Sequence, residues 1–280
     1  MASSECNGDS AAVRITVEDG IARVAMTRPE RKNAFAPEMI ESLRAAFRAI
    51  GKRNDIRAVV LSGDGDVFSA GADLDWMRKA ADYSFSENVA DALRLADCLE
   101  ALRECPKPVV ARVQGAAMGG GAGLVAAADI AVVADDTVFA FSEVRLGLVP
   151  AVISRFVLPR IGEAAARELF LTGERFDAAH AHSIGLVARV VRAADLDTAV
   201  NQRLEALAAG GPAAQSAVKR LISRVAADPD GSREYTARMI AACRASEEGR
   251  DGMTAFLEGR RPAWALPRAP SSGAPPERSD

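Results

Sequence analysis

One glutamate and two glycine-rich loops are the parts of this sequence whose residue types and positions could do chemistry. Glu143 stands in FAFSEV, between a β-prone run and the apolar segment LGLVPAVIS. Burial in apolar surroundings raises the pKa of a carboxyl group, so that it can act as a general acid or base near neutral pH. The structural alternative is that Ser142 caps a helix whose first turn Glu143 stabilises.

Each glycine-rich loop follows an apolar run that is typical of a buried strand. The first loop, GDGDVFSAG, has Phe68 where the dinucleotide-binding pattern GxGxxG needs its third glycine. The second, MGGGAGL, lacks both the Gly-Lys-Ser/Thr ending of a P-loop and a third glycine at Leu124. Such loops either allow close packing of a helix on a strand or present bare N–H groups to an anionic oxygen. If the N–H groups of both loops face one pocket, they form a two-donor oxyanion hole.

Four other polar residues offer weaker alternatives. Asp73 and Asp75, in GADLDWM, are either paired carboxylates or the start of a helix with Asp73 near its cap. The two histidines, His180 and His182, fall in a surface-helix pattern without neighbouring thiols. Because zinc sites need clustered histidine, cysteine or carboxylate ligands, we expect no metal site in this protein.

The composition excludes several function classes. The 280 residues include 35 Lys and Arg against 38 Asp and Glu, and a net charge of −3 gives no electrostatic footprint for nucleic acid or anionic lipid. The four cysteines have no CxxC spacing and are typical of reduced thiols. The apolar stretch 115–134 contains five glycines and Asp129, which favours a buried helix and strand over a membrane span. Since the amino terminus is also unlike a signal peptide, we expect a cytoplasmic protein.

Strand and helix patterns alternate through the first two thirds of the chain. An Asp-Gly turn joins two short β-prone runs at 13–17 and 21–26. Beyond this turn, the patterns predict strands at 58–62, 109–113, 130–134 and 138–141 and helices at 37–50, 86–103 and 119–127. From residue 164 the patterns predict helices at 164–171, 178–184, 194–209, 213–226 and 232–245 and a strand at 188–191.

This order of elements predicts an α/β fold with a helical carboxyl-terminal part. We expect a flexible segment at 1–12, an α/β core at 13–200 and a helical region at 201–265. The final segment, LPRAPSSGAPPERSD, is polar and rich in proline, so a disordered tail is expected at 266–280.

From about residue 13 to residue 264 the chain resembles the crotonase (enoyl-CoA hydratase/isomerase) superfamily. The resemblance rests on the order and spacing of RPERKNAF, AVVLSG followed by FSAGADL, KPVVARVQGAAMGGGAGL, AADIAVVADD, FAFSEVRLGLVP, LTGERFDAAHAHSIGLV and EGRDGMTAFLEGRRP. It implies a spiral of ββα units with a helical C-terminal trimerisation region, assembled as a homotrimer or hexamer. It also implies an acyl-CoA thioester substrate, with coenzyme A as part of the substrate and no separate cofactor.

The resemblance also implies roles for particular residues. The thioester oxygen would be held by the backbone N–H groups of Ala72 and Gly120, and Glu143 would transfer protons. An enolate oxyanion forms when a nucleophile adds β to the thioester, and oriented donors stabilise that charge as it develops. Arg260 of a neighbouring subunit would approach the CoA. The residues implied to bind CoA within the chain are Arg31, Lys32, Ala70 and Asp73.

One position departs from the usual pattern of the family. Typical hydratases have two glutamates, but the first of these positions is Gly123 here and only Glu143 remains. The chain most resembles a branch with 3-methylglutaconyl-CoA and isohexenylglutaconyl-CoA hydratases, which also has glycine there. In a syn addition, one glutamate can take a proton from water and then return it to Cα. Arg155, where this branch has proline, either alters the pocket wall or contacts a distal carboxylate.

The leading interpretation is a lyase that adds water to a branched enoyl-CoA with a second carboxylate, as in leucine degradation. Within the same fold, the alternatives are an isomerase and a dehydratase or decarboxylase acting on carrier-protein-bound glutaryl groups. A non-enzymatic binder is a further alternative, since one relative in the branch is associated with RNA. The net charge and the retained Glu143 oppose it. Trp76, Met77 and Met118 are expected to influence the choice of acyl chain.

Overall fold

The computed structural model describes residues 12–265. The predicted disordered tail lies outside the described residues, and so does the predicted flexible amino terminus apart from residue 12. The chain divides into two compact units, Met1–Leu207 and Ala208–Asp280. The first unit contains the β-sheets, and the described part of the second is helical.

Two β-sheets form the framework of the first unit. The strands are β1 Val13–Glu18, β2 Ile21–Met26, β3 Ala58–Gly63, β4 Val109–Val113, β5 Ala116–Met118, β6 Ile130–Ala134, β7 Val138–Ala140, β8 Arg175–Asp177 and β9 Arg189–Val191. The larger sheet has the order β1-β2-β3-β4-β6-β9, and the smaller has the order β5-β7-β8. The β1–β2 and β7–β8 pairs are antiparallel, and the other pairs are parallel.

The sequence explains the larger sheet. In the turn between β1 and β2, Asp19 has φ 49° and Gly20 has φ 76°, the left-handed conformations that a two-residue hairpin favours. Strands β3 (AVVLSG) and β4 (VVARV) are almost continuously apolar and buried, as strands covered on both faces are. They pair in parallel, with Val59 opposite Val109. Because parallel strands end at the same edge of a sheet, the loops after β3 and β4 leave it side by side.

Helices cover the sheets of the first unit. They are α1 Pro37–Gly51, α2 Leu74–Ala80, α3 Phe85–Arg103, α4 Gly120–Ala127, α5 Ala151–Thr172, α6 Ala178–Ser183 and α7 Leu196–Ala208. Helix α1 buries one face, with Met39, Leu43, Phe47 and Ile50 at helical spacing, and packs against α3. Helix α4 is buried from Gly121 to Ala127 and packs against both α3 and α5.

The predicted α/β class is confirmed, and most predicted elements are present with ends shifted by one or two residues. The predicted helix at 164–171 is present as the second half of α5. The first half of α5, which begins at Ala151 and precedes a break at Gly162 with φ 72° and ψ 171°, was not predicted. Strands β5 and β8 were not predicted, because partners distant in sequence define these three-residue strands.

The second unit contains α8 Pro212–Ala227, α9 Arg233–Ala245 and α10 Glu247–Leu257, of which α10 was not predicted. The Glu248 carboxylate accepts hydrogen bonds from the N–H groups of Ala213 and Ala214 at 2.9 and 2.8 Å, which ties α10 to the start of α8. Six large apolar side chains of this unit are exposed: Val218, Ile222, Ile240, Met253, Phe256 and Leu257. Between residues 12 and 265, no helix is both long and apolar enough to span a membrane.

Candidate active site

Glu143 begins a short 3-10 turn, Glu143–Leu146, that follows β7. Its side chain is half-buried, and its Oε2 atom is inaccessible to solvent and has no hydrogen-bond partner among the described residues. Burial raises the pKa of this carboxyl, and a hydrogen bond from its own backbone N–H opposes the rise only in part. The side chain of Ser142 makes no capping hydrogen bond, so the structural alternative for Glu143 lacks support. The carboxyl therefore has the environment of a general acid or base.

Ala72 lies in the loop after β3, beside Phe35. The N–H of Phe35 donates to the carbonyl of Gly71 at 2.6 Å, and the carbonyl of Phe35 accepts from the N–H of Asp73 at 2.8 Å. In a trans peptide the N–H points opposite to the preceding carbonyl, so the N–H of Ala72 points away from Phe35. Ala72 is exposed, and within residues 12–265 its N–H has no acceptor. This N–H is therefore available to a ligand.

Gly120 is the first residue of α4, where helical N–H groups have no partner inside the helix. The N–H of Gly119 donates to the carbonyl of Ala140 at 2.9 Å, whereas the N–H of Gly120 has no acceptor in the described part of the chain. A methyl group built on Gly120 would lie 2.5 Å from Cε2 of the Phe35 ring, so the ring packs directly on this backbone. Phe35 thus lies beside both Ala72 and Gly120.

Strand β5 and Gly119 bring the two loops and the glutamate together. Two backbone hydrogen bonds of 3.0 Å join Ser69, in the first loop, to β5, which leads into the second loop. A methyl group built on Gly119 would lie 3.2 Å from Oε1 of Glu143, so the carboxyl is next to the residue that precedes Gly120. This arrangement places a carboxyl of raised pKa near unpaired backbone donors. Such a site can hold an oxyanion and move a proton.

Gly123 occupies the position at which the resemblance implies a second glutamate. It is buried within α4, and a methyl group built on it would lie 2.5 Å from Cγ2 of Ile153 in α5 and 3.6 Å from Cδ1 of Leu99 in α3. A larger side chain at this position requires displacement of Ile153, because 2.5 Å is far inside van der Waals contact. At this position α4 therefore packs closely against α5, and no second carboxylate is present.

Three of the residues predicted to bind CoA are exposed and close in the structure. The N–H of Ala70 donates to the carbonyl of Lys32 at 2.9 Å, which joins the first glycine-rich loop to the turn that contains Arg31. The Arg31 guanidinium lies 3.5 Å from the carboxylate of Asp75, and both side chains are about half exposed. These residues form an accessible basic edge beside Ala72.

Asp73, the fourth residue predicted to bind CoA, is buried, and its carboxylate already has partners. One oxygen accepts the N–H of Asp75 and the other accepts Arg28, each at 2.9 Å. Burial alone would raise the pKa of Asp73, but these hydrogen bonds, the charge of Arg28 and the N–H of Trp76 together lower it. The prediction that Asp73 lies near a helix cap is confirmed, because it caps α2.

The remaining candidates lie in several places. Trp76 and Met77 form part of the half-buried face of α2, and the Trp76 Nε1 atom is buried without a partner among the described residues. Met118 is half-buried in β5. Arg155 is exposed and lies 3.5 Å from Glu100, which decides neither of its two predicted roles. In residues 12–265, no group of three or more His, Cys, Asp or Glu side chains could hold a metal ion.

The last candidates are Arg260 and the two histidines. Arg260 belongs to the second unit, where it bonds to Asp251 at 2.7 Å and Glu258 at 2.8 Å. His180 and His182 lie in α6. The predicted approach of Arg260 to the CoA of a neighbouring subunit stays a prediction.

Sequence reasoning missed Phe35, Arg28 and Ile153, which shape the site. The first two are the ends of the RPERKNAF motif, so the motif was recognised but its contacts were not. Nothing in the sequence links Ile153 to Gly123.

Comparison with known proteins identifies the family. The family described as Enoyl-CoA hydratase/isomerase matches residues 16–266. A Thermus thermophilus protein with enoyl-CoA hydratase in its name is 34% identical over 255 residues, covering 89% of this chain and 100% of the relative. The enoyl-CoA hydratase AKT6-1 of Alternaria alternata is 28% identical over 264 residues, covering 93% of this chain and 86% of that protein.

Solved structures are similar over the same extent. An enoyl-CoA hydratase from Shewanella pealeana has a TM-score of 0.87 and 38% identity, with 90% of this chain and 96% of that chain covered. Pseudomonas aeruginosa AtuE has a TM-score of 0.86 and 33% identity, with 91% and 99% covered. The predicted crotonase-like fold is therefore confirmed. The chain belongs to the enoyl-CoA hydratase/isomerase family of the crotonase superfamily, and it is an enzyme of that type.

Proposed function

We propose that this enzyme adds water to the double bond of a branched enoyl-CoA that bears a second carboxylate, such as 3-methylglutaconyl-CoA. The observation that carries the proposal is the Glu143 carboxyl, whose pKa is raised by burial and which lies beside Gly119. The next residue, Gly120, has an N–H that is available to an acyl oxygen. The choice of acyl chain rests on the resemblance of the SAGADLDWM and GGGAGL segments to the glutaconyl branch.

Two backbone donors and one carboxylate suffice for the reaction. The thioester oxygen accepts the N–H groups of Ala72 and Gly120. The Glu143 carboxylate removes a proton from water as the water oxygen bonds to Cβ, and the π electrons move onto the thioester as an enolate. The two donors stabilise the enolate oxygen as its charge develops. Protonated Glu143 then gives its proton to Cα on the same face, which restores the carboxylate.

The packing at Gly123 supports the use of one carboxylate for both proton transfers. The chain has glycine at this position, and Ile153 fills the space that a glutamate side chain would need. A single group can serve in both steps only if water and the returning proton reach the same face of the substrate. The proposal therefore includes a syn stereochemical outcome.

We also propose that the enzyme acts as a homotrimer or hexamer in the cytoplasm and binds CoA along its basic edge near Arg31 and Lys32. The exposed apolar side chains of the second unit, among them Phe256 and Leu257, support self-association.

The test is to mix the purified enzyme with 3-methylglutaconyl-CoA and with crotonyl-CoA and to follow loss of the conjugated enoyl absorbance. We expect fast loss with the first substrate and slow loss with the second, and a product heavier by one water in mass spectrometry. An isomerase would give a product of unchanged mass. Loss with neither thioester would rule out 3-methylglutaconyl-CoA as the substrate and would favour either isohexenylglutaconyl-CoA or a carrier-protein-bound substrate. Loss with none of these acyl-CoA thioesters would overturn the proposal.

Matched glutamine variants connect the activity to the site. Glu143→Gln is expected to bind the acyl-CoA but to lose at least about 100-fold in kcat, since proton transfer by a positioned group supplies that much. Glu163→Gln changes an exposed glutamate on α5 that pairs with Arg167, and it is expected to retain full activity.

A further inference from the structure

The segment 28–35 holds the loop that carries Ala72. The Asn33 side chain is fully buried and donates to the carbonyls of Asp64 and Val67 at 2.9 and 2.8 Å. The main-chain carbonyl of Asn33 accepts the hydroxyl of Ser69 at 2.9 Å. Asn33 has φ 51°, and asparagine is one of the few residue types that adopt this left-handed conformation readily. These bonds fix the loop from residue 64 to residue 69 but do not reach Ala72.

Arg28 holds the other end of the same loop. Its Nη2 atom donates to Oδ2 of Asp73 at 2.9 Å, and its Nη1 atom donates to the carbonyl of Ala34 at 3.1 Å. The Asp73 side chain is 5% exposed and that of Arg28 is 21% exposed, so the ion pair is largely shielded from water. The second oxygen of Asp73 accepts the N–H of Asp75. The carboxylate next to Ala72 is therefore held at both oxygens.

We infer that Arg28 is a positioning residue which, through Asp73, fixes the direction of the Ala72 N–H and thereby the polarisation of a bound thioester carbonyl. The inference rests on the proposed function, because it takes Ala72 as a donor to that carbonyl. The Phe35 backbone fixes Gly71 and Asp73 on either side of Ala72. Without Arg28 the buried carboxylate of Asp73 would keep only backbone N–H partners, and a buried charge without a counter-charge is strongly unfavourable, so Asp73 is expected to shift against the hold of Phe35.

The effect of Arg28 should concentrate in the chemical step. A backbone donor interacts more strongly with the developing oxyanion than with the ground-state carbonyl, so its misplacement lowers kcat more than it raises KM. CoA itself contributes most of the contact area of such a substrate and does not depend on the direction of one N–H. A role confined to stability would instead change the unfolding temperature and leave kcat of the folded enzyme intact.

The experiment compares Arg28→Ala and Arg28→Lys with the unchanged enzyme. Arg14→Ala is the matched control, because Arg14 also makes a 2.9 Å ion pair with this loop, at Asp64, but on the exposed side. Each protein is mixed with butyryl-CoA labelled with ¹³C at the thioester carbonyl. This saturated thioester cannot be hydrated, so its carbonyl stretching frequency reports polarisation without turnover. Calorimetry gives the Kd of the same complex, and kcat and KM are measured with the enoyl-CoA that is turned over fastest.

In the unchanged enzyme and in Arg14→Ala we expect the carbonyl stretch of bound butyryl-CoA to fall below that of the free thioester. In Arg28→Ala at least half of this shift should be lost and kcat should fall by about 10- to 100-fold, since misplacing a group by about 1 Å has effects of this size. The Kd should change by less than about threefold, since both donors contribute mainly to the transition state. Arg28→Lys, which keeps the charge beside Asp73, should recover part of the shift and of kcat.

Two results would overturn the inference, and they are distinguishable. A full carbonyl shift in Arg28→Ala would show that the Ala72 N–H keeps its direction without Arg28, while the proposed function stands. Absence of any shift in the unchanged enzyme would show that the backbone donors do not hold the carbonyl, which overturns the proposed function as well. If Arg28→Ala does not fold, the same measurements are made on Arg28→Lys. An undiminished carbonyl shift and kcat in that variant would contradict the inference that the guanidinium positions the loop by bonding to both Asp73 and Ala34.

Discussion

Gly123 and Ile153 pack so closely that a methyl group built on the glycine would lie 2.5 Å from Cγ2 of the isoleucine. The contact joins α4, whose first residue supplies a proposed oxyanion donor, to α5, which follows the Glu143 turn. The missing side chain at residue 123 therefore lets the two helices that flank the site approach each other. In this chain the absence of a side chain at residue 123 is therefore a feature of helix packing as well as a departure from the two-glutamate pattern.

Gly123→Ala should destabilise the protein, and removal of the Ile153 side chain should reduce that effect. As single variants, Gly123→Ala should lower the free energy of unfolding by about 1–3 kcal/mol through overpacking, and Ile153→Ala should lower it by about 2–5 kcal/mol through the cavity that it leaves. In the double variant the added methyl group occupies part of that cavity. The loss should therefore be smaller than the sum by about 1 kcal/mol or more. Urea unfolding measures all three free energies.

The control pairs Gly123→Ala with Ile161→Ala. Ile161 is also buried in α5, but it is not among the atoms that a methyl group at residue 123 would meet. The two changes should be additive. Equal coupling in both pairs would show that the helices respond as a whole and that the specific contact is unimportant.

The activity should have an acidic limb that belongs to Glu143. The free enzyme needs the ionised carboxylate to accept a proton from water, and burial raises the pKa of this group. As the pH falls, kcat/KM should therefore decline with a midpoint above the ordinary pKa of glutamate and with the slope of a single proton. The measurement is a pH profile of kcat/KM for the fastest enoyl-CoA. A midpoint at or below the ordinary value would contradict the buried environment seen here.

The same carboxyl should make stability depend on pH. Because the pKa of Glu143 is raised in the folded protein, the folded state binds more protons than the unfolded state between the ordinary and the raised value. The free energy of unfolding therefore falls as the pH rises through this window. Glu143→Gln removes this term, so its unfolding temperature relative to the unchanged enzyme should increase from pH 4 to pH 8. Thermal unfolding at a series of pH values tests this, with Glu163→Gln, which changes an exposed glutamate, as the control that should show no such increase.

Two glycines with similar backbone angles should respond differently to alanine. Gly147 has φ 72° and nothing within 4 Å of an added methyl group, so Gly147→Ala should destabilise by only about 1–2 kcal/mol, the usual strain of this conformation. Gly115 has φ 67°, but a methyl group there would overlap the carbonyl of Asp66. Gly115→Ala should therefore lose at least about 2 kcal/mol more, since the backbone must move. Chemical unfolding of both variants gives the comparison, and equal losses would show that the loop yields easily.

The burial of the proposed catalytic carboxyl was predictable from its local sequence, but the contacts that hold the loop around it were not. Glu143 stands between a strand pattern and an apolar run, and that context already indicates burial. The partnership of Arg28 with Asp73 joins residues that are 45 positions apart, and neither position is unusual by itself. Long-range pairs of this kind follow from how strands are ordered in the sheet, which a single sequence does not encode locally.

In the fold, too, features with a strong local pattern were predicted and features that depend on distant residues were not. Helix α1 has apolar residues at helical spacing, strands β3, β4 and β6 are continuous apolar runs, and all four lie within a residue of their predicted limits. Helix α5 was predicted only in part because Pro159 and Gly162 are signals that usually end a helix. Here Pro159 lies inside the helix, and the chain resumes helical geometry after the break at Gly162. The signal at Gly162 is therefore expressed as a break, and only the signal at Pro159 is overridden.

The proposed oxyanion donors are main-chain N–H groups, and this has a consequence for divergence. Side-chain substitutions at Ala72 leave the amide in place, and only proline removes it. The geometry of the proposed oxyanion site therefore depends on the path of the backbone, and most side chains can change, or adapt the enzyme to new acyl groups, without altering that geometry. The backbone of Pseudomonas aeruginosa AtuE follows nearly the same path, with a TM-score of 0.86, although about two thirds of its aligned residues differ from those of this chain.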